Sequence, residues 1–202
     1  PGCDEPIELK SEFQKQAENI FKDSFPKILT VARLDKRKNH QSILMCIRNL
    51  KEKFPKIKYV SVGNGDQKKT LFTLIKELKI ENEVILLEQT DQRLKAALIK
   101  NSNLFLMPSK IYKKSVEGFG ISFIEAASYG IGSIGGKDGG ASDAIDNKKT
   151  GLICDGEDIN SIYECILKFF ENENYKKFGY NALDFSKKFS WNKIVKEYLN
   201  LI

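Results

Sequence analysis

The stretch KILTVARLDKRKNHQSILMCIRNLKEKF, Lys27–Phe54, changes its hydrophobic period once. Its first part, KILTVARL, is a short apolar run opened by Pro26 and ending at Arg33. Its last part, HQSILMCIRNLKEKF, sets Ile43, Leu44, Ile47 and Leu50 at helical spacing. The unit is strand, loop, helix, and it recurs: IKYVSVG then DQKKTLFTLIKELKI, EVILLE then DQRLKAALIKNS, NLFLMPS then GISFIEAASYG, GSIGG then ASDAIDN, GLICD then INSIYECILKFF. Near-continuous apolar strands alternating with amphipathic helices of roughly ten to fifteen residues indicate parallel strands covered on both faces. The expected fold is α/β, a doubly wound, Rossmann-like parallel sheet.

A chain of 202 residues suits one such domain with terminal extensions and can bury roughly 70% of its unfolded surface. With 41% apolar and 30% charged residues, and no run near the ~18 apolar residues of a membrane span, it reads as water-soluble. Cys3, Cys46, Cys154 and Cys165 have no C-x-x-C or Cys/His spacing, and PGCDEPIELK lacks an apolar signal core, so the expected compartment is a reducing cytoplasm. The net charge of +6 is spread along a Lys-rich chain. The boundaries expected are 1–25 as a linker or extension, 26–190 as the domain, and 191–202 as a C-terminal helix. In that helix Trp191, Ile194, Val195, Tyr198 and Leu199 form an apolar stripe needing a surface to cover.

Ligands of open parallel sheets bind beyond the carboxyl ends of the strands, which directs attention to four loops. In ARLDKRKNH, Arg33, Lys36, Arg37 and Lys38 crowd the entrance to a helix, where side-chain charge adds to unpaired N–H groups. That is either a phosphate-binding turn or a solvated charged loop. VGNGDQ resembles the start of a dinucleotide fingerprint, but Lys68 stands where the third glycine belongs. A tight turn with Asp66 as helix N-cap is expected. IGGKDGGASDAI is rich enough in glycine for close backbone approach to a ligand, or is a plain mobile loop. His40, the only histidine, is expected to be a surface or capping residue, and no Ser/His/Asp, Cys/His or metal-ligand pattern occurs.

The fourth loop, MPSKIYKKSVEGFGISFIEAASYG, places Glu117 on a glycine-flanked turn and Glu125 within the following helix. The amides of Phe119, Gly120 and Ile121 would lie between them at a helix start. Ionised carboxylates accept from vicinal hydroxyls at roughly 1.5–3 kcal/mol per charged hydrogen bond. Two of them around an amide nest suit a ligand with hydroxyls at both ends and phosphate in the middle, the order of a nucleotide sugar. The plainer alternative makes Glu117 a helix cap and Glu125 a surface residue.

Together, ARLDKRKNH, VGNGD, PSKIYKKSVEGFGISFIEAASYG and GGASDAI followed by KTGLICD resemble the C-terminal, donor-binding domain of family 4 retaining glycosyltransferases of the GT-B fold. The similarity runs from about Pro26 to the final helix, and its most specific single element is the E-x-x-x-x-x-x-x-E signature, Glu117 to Glu125. The resemblance implies that Arg33 and Lys38 bind the donor diphosphate, and that Glu117 contacts hydroxyls of the donor sugar. It further implies that the Phe119, Gly120 and Ile121 amides hold sugar and distal phosphate, that Glu125 takes the ribose, and that Thr90 and Lys95 lie near the base. It also implies a UDP- or GDP-linked donor, no metal or other cofactor, and transfer with retention. The acceptor, a glycan or lipid, would bind an N-terminal domain of the same enzyme, with possible peripheral membrane association and no nucleic-acid partner. Three departures from the pattern are Asn39 for a common glycine, Glu88 for a common glycine, and Gly132 for a frequent proline. Two other readings share the fold: a non-catalytic nucleotide- or nucleic-acid-binding module, and a GT-B relative such as a nucleotide-sugar epimerase. The aromatic residues do not interleave with the basic loops as base-stacking platforms would.

Overall fold

The computed structural model describes residues 2–199. After helix α1 (Ser11–Phe21) comes the predicted unit: β1 (Lys27–Val31), a 3-10 turn at Lys36–Lys38, and α2 (His40–Lys53). The alternation continues through β2 (Lys58–Val62), α3 (Lys68–Glu77), β3 (Val84–Leu87), α4 (Gln92–Asn101), β4 (Leu104–Met107) and α5 (Ile121–Ser128). It ends with β5 (Ser133–Gly136), the short α6 (Ala141–Ala144), β6 (Gly151–Cys154), α7 (Ile159–Phe170), α8 (Asn174–Ser186) and α9 (Trp191–Leu199). All the strand pairings are parallel, in the order β3-β2-β1-β4-β5-β6. Strand order therefore reverses between β1 and β4, which pair through Ile28 with Leu104 and Leu29 with Phe105. That reversal opens a crevice at the carboxyl ends of these two strands.

The sheet is apolar on both sides because successive side chains point to opposite faces. Ile28, Tyr59, Leu104 and Leu106 pack with α2, α3 and α7 through Ile47, Leu71 and Ile166. Leu29, Val60, Phe105 and Met107 pack on the other side with α1, α4 and α5 through Phe21, Leu98 and Ile124. Strands β1–β4 and β6 thus feed both cores, which is why no in/out alternation marks the sequence.

The segment expected as a linker contains α1. Phe13, Ala17, Ile20 and Phe21 form its apolar stripe, Ala17 and Phe21 are fully buried, and the helix packs against α4. Lys22, at φ 50, ends it. Burying a phenylalanine side chain contributes roughly 1.5–3 kcal/mol, so residues 11–21 belong to the domain's core. Helix α8 carries Gly179 where the chain crosses Gly130, since a Cβ there would lie 2.2 Å from the Gly130 carbonyl oxygen. Of the expected C-terminal helix, residues 200–202 lie outside the described residues. In α9, Trp191, Val195, Tyr198 and Leu199 are exposed, and Trp191 lies against Gly2.

Candidate functional site

The loop after β1 is fixed before it reaches its charged residues. Gly63 and Gly65 let the β2–α3 loop cross it closely: a Cβ on Gly63 would lie 1.9 Å from the Ala32 carbonyl oxygen, and one on Gly65 2.3 Å from that of Leu34. The Leu34 N–H donates to Asn64 O (3.0 Å), and Gln67 N–H donates to Leu34 O (2.9 Å). The glycines of VGNGD therefore serve chain crossing. Asp66 does not cap the next helix; it is exposed in the turn, and α3 starts after Gln67 without a side-chain cap.

His40 is neither exposed nor a cap. It is buried at the head of α2, its Nε2 lies 3.2 Å from Arg33 O, and its Nδ1 lies 3.1 Å from the Tyr59 hydroxyl and 3.4 Å from that of Ser61. A carbonyl only accepts, so Nε2 carries the proton and Nδ1 accepts. Burial pushes the imidazole pKa down from 6.5 to about 4, keeping it neutral at physiological pH. Beyond this anchor Asp35 accepts from Lys38 N–H (3.0 Å) to start the 3-10 turn. Asn39 then turns the chain at φ 60, the left-handed region that explains why glycine suits this position. Its side chain compensates by donating to Gly156 O (2.7 Å) and Pro108 O (3.1 Å) and accepting from Ser42 (2.8 Å).

These bonds, with Lys110 N–H to Arg37 O (3.0 Å), tie the β1 loop to the β4 loop across the reversal. There Lys38 meets Glu117. Both side chains are only 10% exposed, and the Lys38 ammonium donates to Glu117 Oε2. The same oxygen accepts from Arg37 Nη1 (2.8 Å) and Ser109 Oγ (3.2 Å). Oε1 accepts no hydrogen bond among the described residues, yet is not sealed from solvent. Burial alone would raise the Glu117 pKa, but Lys38, Arg37 and Ser109 together hold it below the usual carboxylate value. Burial lowers the Lys38 pKa, and Glu117 opposes that shift. Glu117 is thus neither a helix cap nor a surface residue.

The glycine-rich loop after β5 packs against this corner. Gly140 N–H donates to Glu117 O (2.9 Å), Gly139 has φ +89, and a Cβ on Gly140 would lie 1.9 Å from Gly118 O. Its glycines admit the chain itself. Gly118 differs: a Cβ there would meet nothing within 4 Å, so the fold leaves open space beside it. Gly120, at φ 78, turns the chain into α5, while the Phe119 ring is pinned against Phe189 at 5.5 Å. The N–H groups of Phe119, Gly120 and Ile121 have no acceptor among the described residues, leaving the helix start free for an anion.

Glu125, on α5, is half-buried and accepts from Lys95 Nζ (3.2 Å) on α4. The structure thus pairs two predicted residues, but separately from the Lys38–Glu117 cluster. A cavity of about 90 Å³ beside them is lined by Gln92, Tyr129 and the amino-terminal Asp4, Glu5 and Ile7. Thr90 is half-exposed without a side-chain hydrogen bond among the described residues. Arg33 is exposed and has no ion-pair partner among them. Glu88 is neutralised by Lys68. Among the described residues no group of three or more His, Cys, Asp or Glu side chains could hold a metal, and no helix is long and apolar enough to cross a membrane. Sequence reasoning missed Arg37 and Ser109 as partners of Glu117. Arg37 was visible in the basic loop, whereas Ser109 reaches the site only because its loop folds back.

A doubly wound sheet whose reversal point joins a cationic loop to a buried glutamate beside an open helix start defines a Rossmann-like domain with a ligand crevice at the reversal. Residues 11–185 match the family model described as Glycosyl transferases group 1, and the chain belongs to that family. It is 29% identical over 219 residues to an uncharacterized glycosyltransferase, MJ1059, of Methanocaldococcus jannaschii, covering 94% of this chain and 52% of the relative. It is 31% identical over 200 residues to the N-acetylgalactosamine-N,N'-diacetylbacillosaminyl-diphospho-undecaprenol 4-alpha-N-acetylgalactosaminyltransferase of Campylobacter jejuni, covering 97% and 51%. The chain thus spans about half the length of these relatives. Its fold matches Anabaena Alr3699/HepE, solved in complex with UDP and glucose, at TM-score 0.79 and 18% identity, covering 96% of this chain and 53% of that one.

Proposed function

We propose that this chain is the donor half of a retaining hexosyltransferase that takes its sugar from a UDP- or GDP-linked donor and uses no metal. The observation that carries this reading is the Glu117 carboxylate, whose Oε2 is anchored by Lys38, Arg37 and Ser109 while Oε1 accepts no hydrogen bond among the described residues. An anchored carboxylate with one free oxygen is a fixed acceptor for a sugar hydroxyl. The neighbouring amides and Lys38 suit a diphosphate, and Arg33, without an ion-pair partner among the described residues, lies on the same loop as Lys38. Glu125 would take the ribose, exchanging Lys95 for its hydroxyls, with Thr90 near the base.

In the transfer step, the bond between the anomeric carbon and the distal phosphate oxygen breaks with negative charge developing on the diphosphate, a bond forms on the same face from the acceptor hydroxyl oxygen to that carbon, and the hydroxyl proton passes to the departing phosphate oxygen. Lys38, Arg33 and the N–H groups before α5 would stabilise that charge. Removing one such donor typically costs about 10²–10³ in rate. The acceptor, a glycan or lipid, would bind the remaining half of the enzyme. The Campylobacter relative, named for a diphospho-undecaprenol acceptor, supports a lipid-linked class. The four free thiols, three of them buried, suit a reducing cytoplasm.

Calorimetry on the chain and its variants tests the assignment. Glu125→Ala should weaken UDP or GDP itself about 10-fold. Glu117→Ala should instead remove the extra affinity of the nucleotide sugar over the nucleotide. Equal losses for both ligands in both variants would contradict these roles.

A further inference from the structure

We propose that Glu117 is an internal competitor of the diphosphate, so that the site selects a sugar-bearing diphosphate over a bare one and helps expel the nucleotide left after transfer. The inference rests on the donor reading above and adds a second role to the same carboxylate. In the ligand-free protein the buried Lys38 ammonium has two partners, Glu117 Oε2 and the weakly accepting Met107 sulfur at 3.2 Å. Glu117 is its only charged hydrogen-bond partner among the described residues, so an arriving diphosphate competes with that carboxylate for Lys38. Arg37 and Ser109 keep Glu117 in place and ionised while Lys38 turns to the new anion. Its negative charge then faces the diphosphate. A donor offsets this repulsion, because sugar hydroxyls donate to the open Oε1. A nucleoside diphosphate without the sugar has nothing to offer Oε1 and bears the repulsion in full.

The sign of one substitution separates this role from an ordinary contact. Glu117→Gln keeps the shape, so Lys38, Arg37 and Ser109 can still donate to its amide oxygen, but it removes the charge. Titrated by calorimetry with pyrophosphate, UDP and GDP, Glu117→Gln should bind about 10-fold more tightly than the parent chain, equivalent to about 1.4 kcal/mol. The gain should vanish when Lys38→Gln is added. If Glu117→Gln does not fold, as judged by its melting curve, Glu117→Ser carries the same test. A residue that only supports the loop, or only contacts the ligand, would weaken binding or leave it unchanged, and either result overturns the proposal. Tighter pyrophosphate binding with no binding of either nucleotide would keep the competition and sink the donor reading. Nucleotide binding without a gain would do the reverse. Binding of none of the probes by either chain would overturn both.

Discussion

Lys38 and Glu117 stand 79 residues apart in the chain and share one buried hydrogen bond. They meet because β1 and β4 are neighbours at the point where the strand order reverses, and because Asn39 and Lys110 lock the loops that follow them. The pair is therefore a product of topology and a structural element of the crevice.

Lys38→Met should lower stability to urea by about 2–3 kcal/mol, below the full cost of an orphaned buried charge because Arg37 and Ser109 still hold Glu117. The same variant should lose nucleotide binding. A change under about 0.5 kcal/mol would show that the pair does not form.

His40 predicts a pH dependence. Its folded pKa is about 4 against an ordinary 6.5, so between those values the unfolded chain binds a proton that the folded chain excludes. Stability should be full above pH 6.5 and fall by up to roughly 3 kcal/mol as pH drops toward 4. Urea unfolding across this range checks it. His40→Asn should flatten that slope, and an unchanged slope would assign it to other groups.

Gly139 and Gly118 should respond differently to the same substitution. Gly139→Ala meets both a φ of +89 and the Glu117 carbonyl oxygen 2.4 Å away, and should lower stability by about 1–3 kcal/mol. Gly118→Ala enters open space and should leave the melting temperature nearly unchanged, while weakening a ligand that occupies that space. Calorimetry and melting curves on both variants distinguish packing from binding.

Phe21→Ala should cost about 3–5 kcal/mol, because its ring is fully buried beneath α1. A loss under 1 kcal/mol, measured by urea unfolding, would return the segment before residue 26 to the status of a linker.

The six strands and the helices between them were legible because period changes with each element, and the charged loops fell where strands end. Helix α1 was not, since its stripe of Phe13, Ala17, Ile20 and Phe21 is diluted by polar residues and its burial depends on α4. Helix α8 was hidden by Gly179, whose place is set by contact with Gly130. Lys38 and Glu117 could be named from the loops, but their direct bond and Arg37's share in it depend on which strands are neighbours. His40 was misread because a histidine after a basic loop looks exposed. The hydroxyls that bury it, Tyr59 and Ser61, come from the adjacent strand. In IGGKDGGASDAI the glycine density suits either ligand approach or a mobile loop, whereas Gly139 and Gly140 admit the Glu117 and Gly118 backbone.

The most direct test of the central claim is a thermal-shift panel of UDP, GDP and their sugars on the chain in EDTA, with Lys38→Met alongside. A ligand that binds the folded state at 100 times its Kd stabilises it by about 2.7 kcal/mol, a shift of roughly 5–11 °C for a domain this size. The account predicts such a rise for a nucleotide of one base, larger with its sugar attached, and none in Lys38→Met. No shift with any of these ligands at millimolar concentration, or an equal shift in Lys38→Met, would contradict it.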